Sequence, residues 1–165
     1  MNESLTTAAA VSAANIQVST DAILKLASDT GNIYSMLNAT NDQSDLFFAI
    51  QEIEPRINAV AYDAELLSRA AVEISVMAAE SADISKKLKA LLNDMQAVSE
   101  KLTAIVDQVA KFERLTEKTK ARNPLIPDDL ITIVHTAASD GMNAEFLTGI
   151  ALRSINTLAA ACQND

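Results

Sequence analysis

The feature that most constrains this chain is a heptad stripe of apolar residues through its middle. Apolar positions recur in steps of three and four, and no Pro or Gly lies between Arg56 and Asn123. Such a repeat predicts an α-helix whose seam packs against other helices. We expect the helix–helix interface of the protein to consist of Ile74, Met77, Ser81, Ile84, Leu88, Leu91, Leu92, Met95, Val98, Leu102, Ile105, Val106, Val109 and Phe112.

The amino-acid composition favours an all-α fold. Apolar residues make up 49% of the 165 residues, only 4% are aromatic, and there are three Gly and three Pro. Sheets need more turn residues and more β-branched or aromatic side chains than this. A chain of this length is expected to form one domain, here a single helical domain over 1–165.

Turn-forming residues divide the chain into helical segments. Pro124 and Pro127 must end the central helix, and Gly141 suggests a further break. Pro55 and Ser81 mark two positions where the central segment could be interrupted. The expected segments are about 4–38, 44–121, 128–139 and 143–162.

Two topologies fit this pattern. The preferred one is an elongated helical bundle or coiled coil with a long central heptad helix, because the stripe passes through 79–83 without Gly, Pro or Asn. The alternative is an antiparallel four-helix bundle with a turn near Ser81, the one polar residue on the stripe. A long helix would be only partly covered by the flanking segments. Since Ala78, Leu92 and Val106 also widen the apolar face, we expect a homo-oligomer or a partner helix to cover the rest.

The charge distribution narrows the classes of partner. The net charge is −9, which argues against nucleic acid and against a strongly anionic membrane surface as partners. Residues 86–122 carry +4, whereas 1–85 carry −9 and 123–165 carry −4. This asymmetry fits either complementary packing between neighbouring helices or a charge-steered contact between subunits. One cysteine and the lack of a signal-peptide pattern predict a cytoplasmic protein.

No catalytic, cofactor-binding or metal-ligating residue is predicted. His135 is the only histidine and lies among apolar neighbours, so we interpret it as a helix-face residue. Cys162 is the only cysteine and reads as a small packing residue. The acidic pairs Asp128–Asp129 and Glu52/Glu54 are interpreted as helix-start and solvent residues. No cofactor is expected, and an enzyme is not predicted.

The N-terminal part of the chain resembles the corresponding region of refractile-body (R-body) structural proteins. The resemblance covers about residues 14–43 and is carried by Asn15-Ile-Gln-Val18, Asp21-Ala22, Gly31-Asn-Ile-Tyr34 and Asn38-Ala-Thr-Asn-Asp-Gln43. It departs at Ile23, where the family usually has Pro, and at Ser35, where it has Gln. The resemblance implies a small, Ala-rich helical protein that assembles into coiled ribbons.

These observations predict a non-enzymatic structural protein that assembles with itself through helix–helix seams. An adaptor or signalling coiled coil that binds a partner protein's helix is the alternative. A helical pore-forming or surface-coating protein is the second alternative, and it depends only on the uncharged, Ala-rich stretch 4–20.

Overall fold

The computed structural model describes residues 2–39, 44–80 and 84–163, which form four α-helices. They are α1 (Asn2–Asn38), α2 (Ser44–Glu80), α3 (Ser85–Arg122) and α4 (Asp128–Gln163). No strand occurs within these ranges. The prediction of an all-α fold is confirmed, and the architecture is that of the four-helix bundle.

The helices run antiparallel to their neighbours around a common apolar core. Among the described residues, α1 packs on α2 and α4, and α3 packs on α2 and α4, whereas the backbones of the diagonal pairs stay further apart. The direction of each pair follows from contacts away from the helix midpoints: Tyr34 with Phe47, Met77 with Lys87, Glu113 with His135, and Ser12 with Ser154.

The prediction of one long central helix is wrong. Helix α2 ends at Glu80, α3 begins at Ser85, and the two run antiparallel, so the chain reverses its direction between them. Ile84 precedes α3 with φ −109° and ψ 1°, outside the helical region, and its side chain is fully buried. Ser81 lies outside the described residues.

The buried positions shift in phase between the two helices. Within α2 the buried residues include Ala71, Ile74 and Ala78, and after the junction they resume at Ile84 and Leu88. The steps are three or four residues on each side, whereas Ala78 and Ile84 are six positions apart. On one continuous helix Ala78 and Ile84 would lie about 120° apart, and two separate helices let both face the core.

The expected break at Gly141 is also wrong, and the possible break at Pro55 does not occur. Helix α4 passes through Gly141 without interruption, since the buried residues Ala137 and Ala144 hold it to the core on both sides. Helix α2 likewise contains Pro55. Pro55 has no backbone N–H, so the carbonyl four residues before it lacks its usual donor. Pro55 is exposed and lies between the buried residues Ile53 and Ile57, so this carbonyl is on the solvent side of α2.

The connection between α3 and α4 is where the two prolines predicted it. Lys120, near the end of α3, reaches across the connection and donates hydrogen bonds to the carbonyl oxygens of Pro124 and Ile126. Its Nζ also lies 3.1 Å from a carboxylate oxygen of Asp128, the first residue of α4. One lysine therefore joins the two helix ends.

Candidate functional site

The residues of the predicted seam come together as the interior of the chain's own bundle. Met77, Leu92 and Val106 are partly buried against this core, and Ser81 lies outside the described residues. The others are at most 3% exposed: Ile74, Ile84, Leu88, Leu91, Met95, Val98, Leu102, Ile105, Val109 and Phe112. The stripe therefore needs no second chain to bury it, and a site for partners must lie elsewhere.

The contact between α1 and α4 contains a ladder of small hydroxyl side chains. The hydroxyl oxygens of Ser19 and Thr148 are 2.7 Å apart, and those of Ser12 and Ser154 are 3.0 Å apart. Thr148 also donates to the Ala144 carbonyl within its own helix. These groups satisfy one another, so the ladder fixes the register of two helices and leaves no group directed at a ligand.

A carboxyl pair crosses the same contact further along. The pKa of Asp29 is raised to about 7, first by burial and then by a hydrogen bond with Asp140 and the charge of that residue, whereas Lys25 acts in the lowering direction. The Lys25 Nζ lies 3.6 Å from an Asp140 oxygen. The hydrogen bond between Asp29 and Asp140 needs a proton, which the raised pKa of Asp29 keeps on that carboxyl group up to about neutral pH. No group of three or more metal-ligating side chains occurs among the described residues.

His135 lies on the outside of α4, as interpreted from the sequence. Its Nδ1 is 2.6 Å from a Glu113 oxygen, and its Nε2 is 3.5 Å from a Glu117 oxygen. Both glutamates belong to α3, so His135 bridges two helices. Cys162 is half-buried and lines a groove with Lys86 and Lys89 at the end of the bundle.

The outer side of α2 carries a row of exposed apolar side chains. Phe48, Tyr62 and Val76 are each fourteen residues apart, so they lie along one line of the helix, and they are 57–65% exposed. The exposed Pro55 and Arg69 occupy the positions between them on that line. Leu66 and Val72 lie beside them and are 44% and 49% exposed. We call Phe48, Tyr62 and Val76 the α2 row. An aligned set of exposed apolar groups is a candidate interaction surface.

A groove separates α2 from α3 next to this row. One part has a volume of about 300 Å³ and contains Leu66, Leu67 and Ala97. It continues into a part of about 240 Å³, which shares Leu67 and Asp94 with the first. The groove is shallow and has an apolar floor, the shape in which a further helix can lie.

The outer surface of α3 differs from that of α2 in both size and charge. Ala90, Ala97 and Ala104 are exposed and seven residues apart, and Lys111 and Lys118 continue the same line. We call these five residues the α3 line. Helix α3 has nine basic and five acidic residues, whereas α2 has seven acidic and two basic ones. Asp63 and Lys101, 4.0 Å apart, join the two helices.

The α2 row was not predicted from the sequence, because only the heptad positions that face the core were considered. The signal was present: Phe48, Tyr62 and Val76 share a spacing of two heptads but lie on the side opposite the buried residues. Large apolar residues at the outermost heptad position are the pattern that would have shown it.

Comparisons with known proteins add no assignment. The chain matches no family model, no curated protein and no solved structure. Within the described helices, none combines the length and the hydropathy needed to cross a membrane.

Proposed function

We propose that this chain is a non-enzymatic structural protein that assembles with itself into an oligomer or filament-like body. The observation that carries the proposal is the α2 row, a line of large apolar side chains on the outside of a bundle whose core is already filled. From Phe48 to Val76 the row is about 42 Å long at about 1.5 Å per residue. Burial of a Phe or Val side chain contributes about 1.5–3 kcal/mol, which a second copy would supply.

Sedimentation velocity over a dilution series tests this proposal. We expect the average mass of the sedimenting species to rise above the 17.6 kDa of one chain as the concentration of the wild-type protein increases. The double variant Phe48→Ser/Tyr62→Ser should stay a single chain. The control is Met142→Ser/Phe146→Ser, which removes side chains of 67% and 64% exposure from α4 instead. A wild-type chain that is still single at tens of micromolar would refute self-assembly.

The groove between α2 and α3 supports an adaptor as the second candidate. A partner helix could lie over Leu67 and Ala97 without changing the bundle. A photo-crosslinking residue at Ala97 would then attach to a different protein in cells, whereas one at the exposed Ala121 would not. Crosslinks from Ala97 to copies of the same chain would favour self-assembly.

The cytoplasm is the proposed location. The support is the single cysteine and the strongly acidic composition, both of which suit a reducing, soluble environment. Fractionation of cells that produce the full chain tests this: recovery with the membranes or outside the cell would contradict it.

A further inference from the structure

We infer that the α2 row of one copy docks on the α3 line of a second copy, so that assembly proceeds head to tail. This inference rests on the proposed self-assembly and names the two surfaces that meet. It follows from complementarity in charge, in side-chain size and in length between two helices that are neighbours within each bundle.

The donor surface, which contains the α2 row, has acidic side chains towards both ends and is largely apolar between them, with Arg69 as the exposed basic side chain on its line. Asp45 and Glu52 lie at the N-terminal end of α2 and Glu73 lies towards its C-terminal end, all of them exposed. Between them, Tyr62 and Leu66 project from the same side with 63% and 44% exposure. Helix α2 carries a net charge of −5, from seven acidic and two basic residues.

The acceptor surface, which contains the α3 line, has basic side chains towards both ends and small side chains between them. Lys86 and Lys89 lie at the N-terminal end of α3, and Lys111 and Lys118 lie towards its C-terminal end, all of them exposed. Between them the α3 line presents alanines only. Small side chains leave hollows on a helix surface, and large side chains of a facing helix fill such hollows.

The charged ends of the two surfaces are also similarly far apart. The acids of α2 span 28 positions from Asp45 to Glu73, and the lysines of α3 span 29 positions from Lys89 to Lys118. Each distance is about 42–44 Å on an α-helix. Opposite charges at both ends therefore fall within reach of each other while the apolar centres are in contact.

Charge disfavours the symmetric alternative, in which the α2 row packs on the α2 row of another copy. That contact would bring two helices of net charge −5 together, and like charges at an interface suppress association. A contact between two different surfaces leaves one of each kind free at the ends of a pair. Such a contact produces open chains or rings.

Two half-blocked variants test the inference. The donor-blocked chain is Phe48→Ser/Tyr62→Ser, and the acceptor-blocked chain is Ala97→Glu/Lys118→Glu. Each alone should sediment as a single chain. An equimolar mixture should form a complex of two chains that does not grow, because the mixture contains one intact surface of each kind. High salt should weaken the complex.

A control with the same change of charge is Ser139→Glu/Arg153→Glu, on the exposed side of α4. It should assemble like the wild type. Circular dichroism checks that every variant keeps its helices, and Lys118→Glu alone is the milder substitute if the double variant does not fold. An acceptor-blocked chain that assembles like the wild type, or a mixture that stays single, overturns the inference. A wild-type chain that does not assemble refutes the proposed function instead.

Discussion

Replacement of Leu102 by Ala tests whether the heptad seam is the core of a single bundle. Leu102 lies in the middle of α3 and is fully buried, whereas Leu125, between α3 and α4, is 89% exposed. Leu→Ala in a core costs about 2–5 kcal/mol, while an exposed site usually changes stability by about 0.5 kcal/mol or less. At about 2–4 °C per kcal/mol for a chain of this size, Leu102→Ala should lower Tm by roughly 4–20 °C.

Thermal and urea unfolding followed by circular dichroism measure both variants side by side. The loss for Leu102→Ala should be the same in the Phe48→Ser/Tyr62→Ser background, because a core contact within the chain is independent of assembly. Leu102→Asp, which buries an unpaired charge, should prevent folding altogether. Equal stabilities of the Leu102→Ala and Leu125→Ala proteins would refute the assignment of the seam to the core.

Three further variants address the polar and backbone features of the bundle. Burial, together with Asp140, raises the pKa of Asp29 to about 7, so the folded chain holds a proton there that the unfolded chain releases near pH 4. This group's contribution to stability therefore falls between about pH 4 and pH 7. Asp29→Asn should remove that part of the decline in a comparison of Tm across this range, and parallel curves would contradict the assignment. Gly141→Ala should raise stability by about 0.5–1 kcal/mol in urea unfolding, because alanine suits a helix interior better and the added Cβ would lie in ordinary contact, 3.5 Å from Val106. A loss of stability would show that the space beside Gly141 is too small for a Cβ. Lys120→Met should cost about 1 kcal/mol and speed proteolysis between α3 and α4, because it removes the contacts that join the helix ends, and unchanged digestion would argue against that role.

The sequence alone predicted the fold class and the core of α3 well. The α3 residues of the seam repeat in strict steps of three and four, and each is buried or partly buried in the bundle. The ends set by Pro124 and Pro127 were also predictable, because proline cannot continue a helix there. These features depend on local rules that one helix obeys by itself.

The topology was harder to predict because the buried heptad positions of α2 and of α3 follow each other in the sequence and resemble a single stripe. Ala71, Ile74 and Met77 follow each other in two successive steps of three, which breaks the alternation of a continuous seam. The structure buries Ala78 instead and leaves Met77 partly exposed. A small residue such as Ala carries a weak hydropathy signal, so the change of phase was hidden.

The carboxyl pair and the α2 row were invisible for a different reason. Asp29 and Asp140 are 111 positions apart, and only the antiparallel packing of α1 on α4 brings them together. The exposure of Tyr62 depends on which side of α2 faces α1 and α3. Both features result from the assembled bundle, which local patterns do not define.

Electron microscopy of the concentrated chain tests self-assembly through α2 most directly. A single bundle of 36–38-residue helices is about 55 Å long at about 1.5 Å per residue. At tens of micromolar, the wild-type protein should form bodies of many such bundles, and Phe48→Ser/Tyr62→Ser should abolish them. Wild-type fields that contain only isolated bundles, or assemblies that persist in the double variant, would contradict this account.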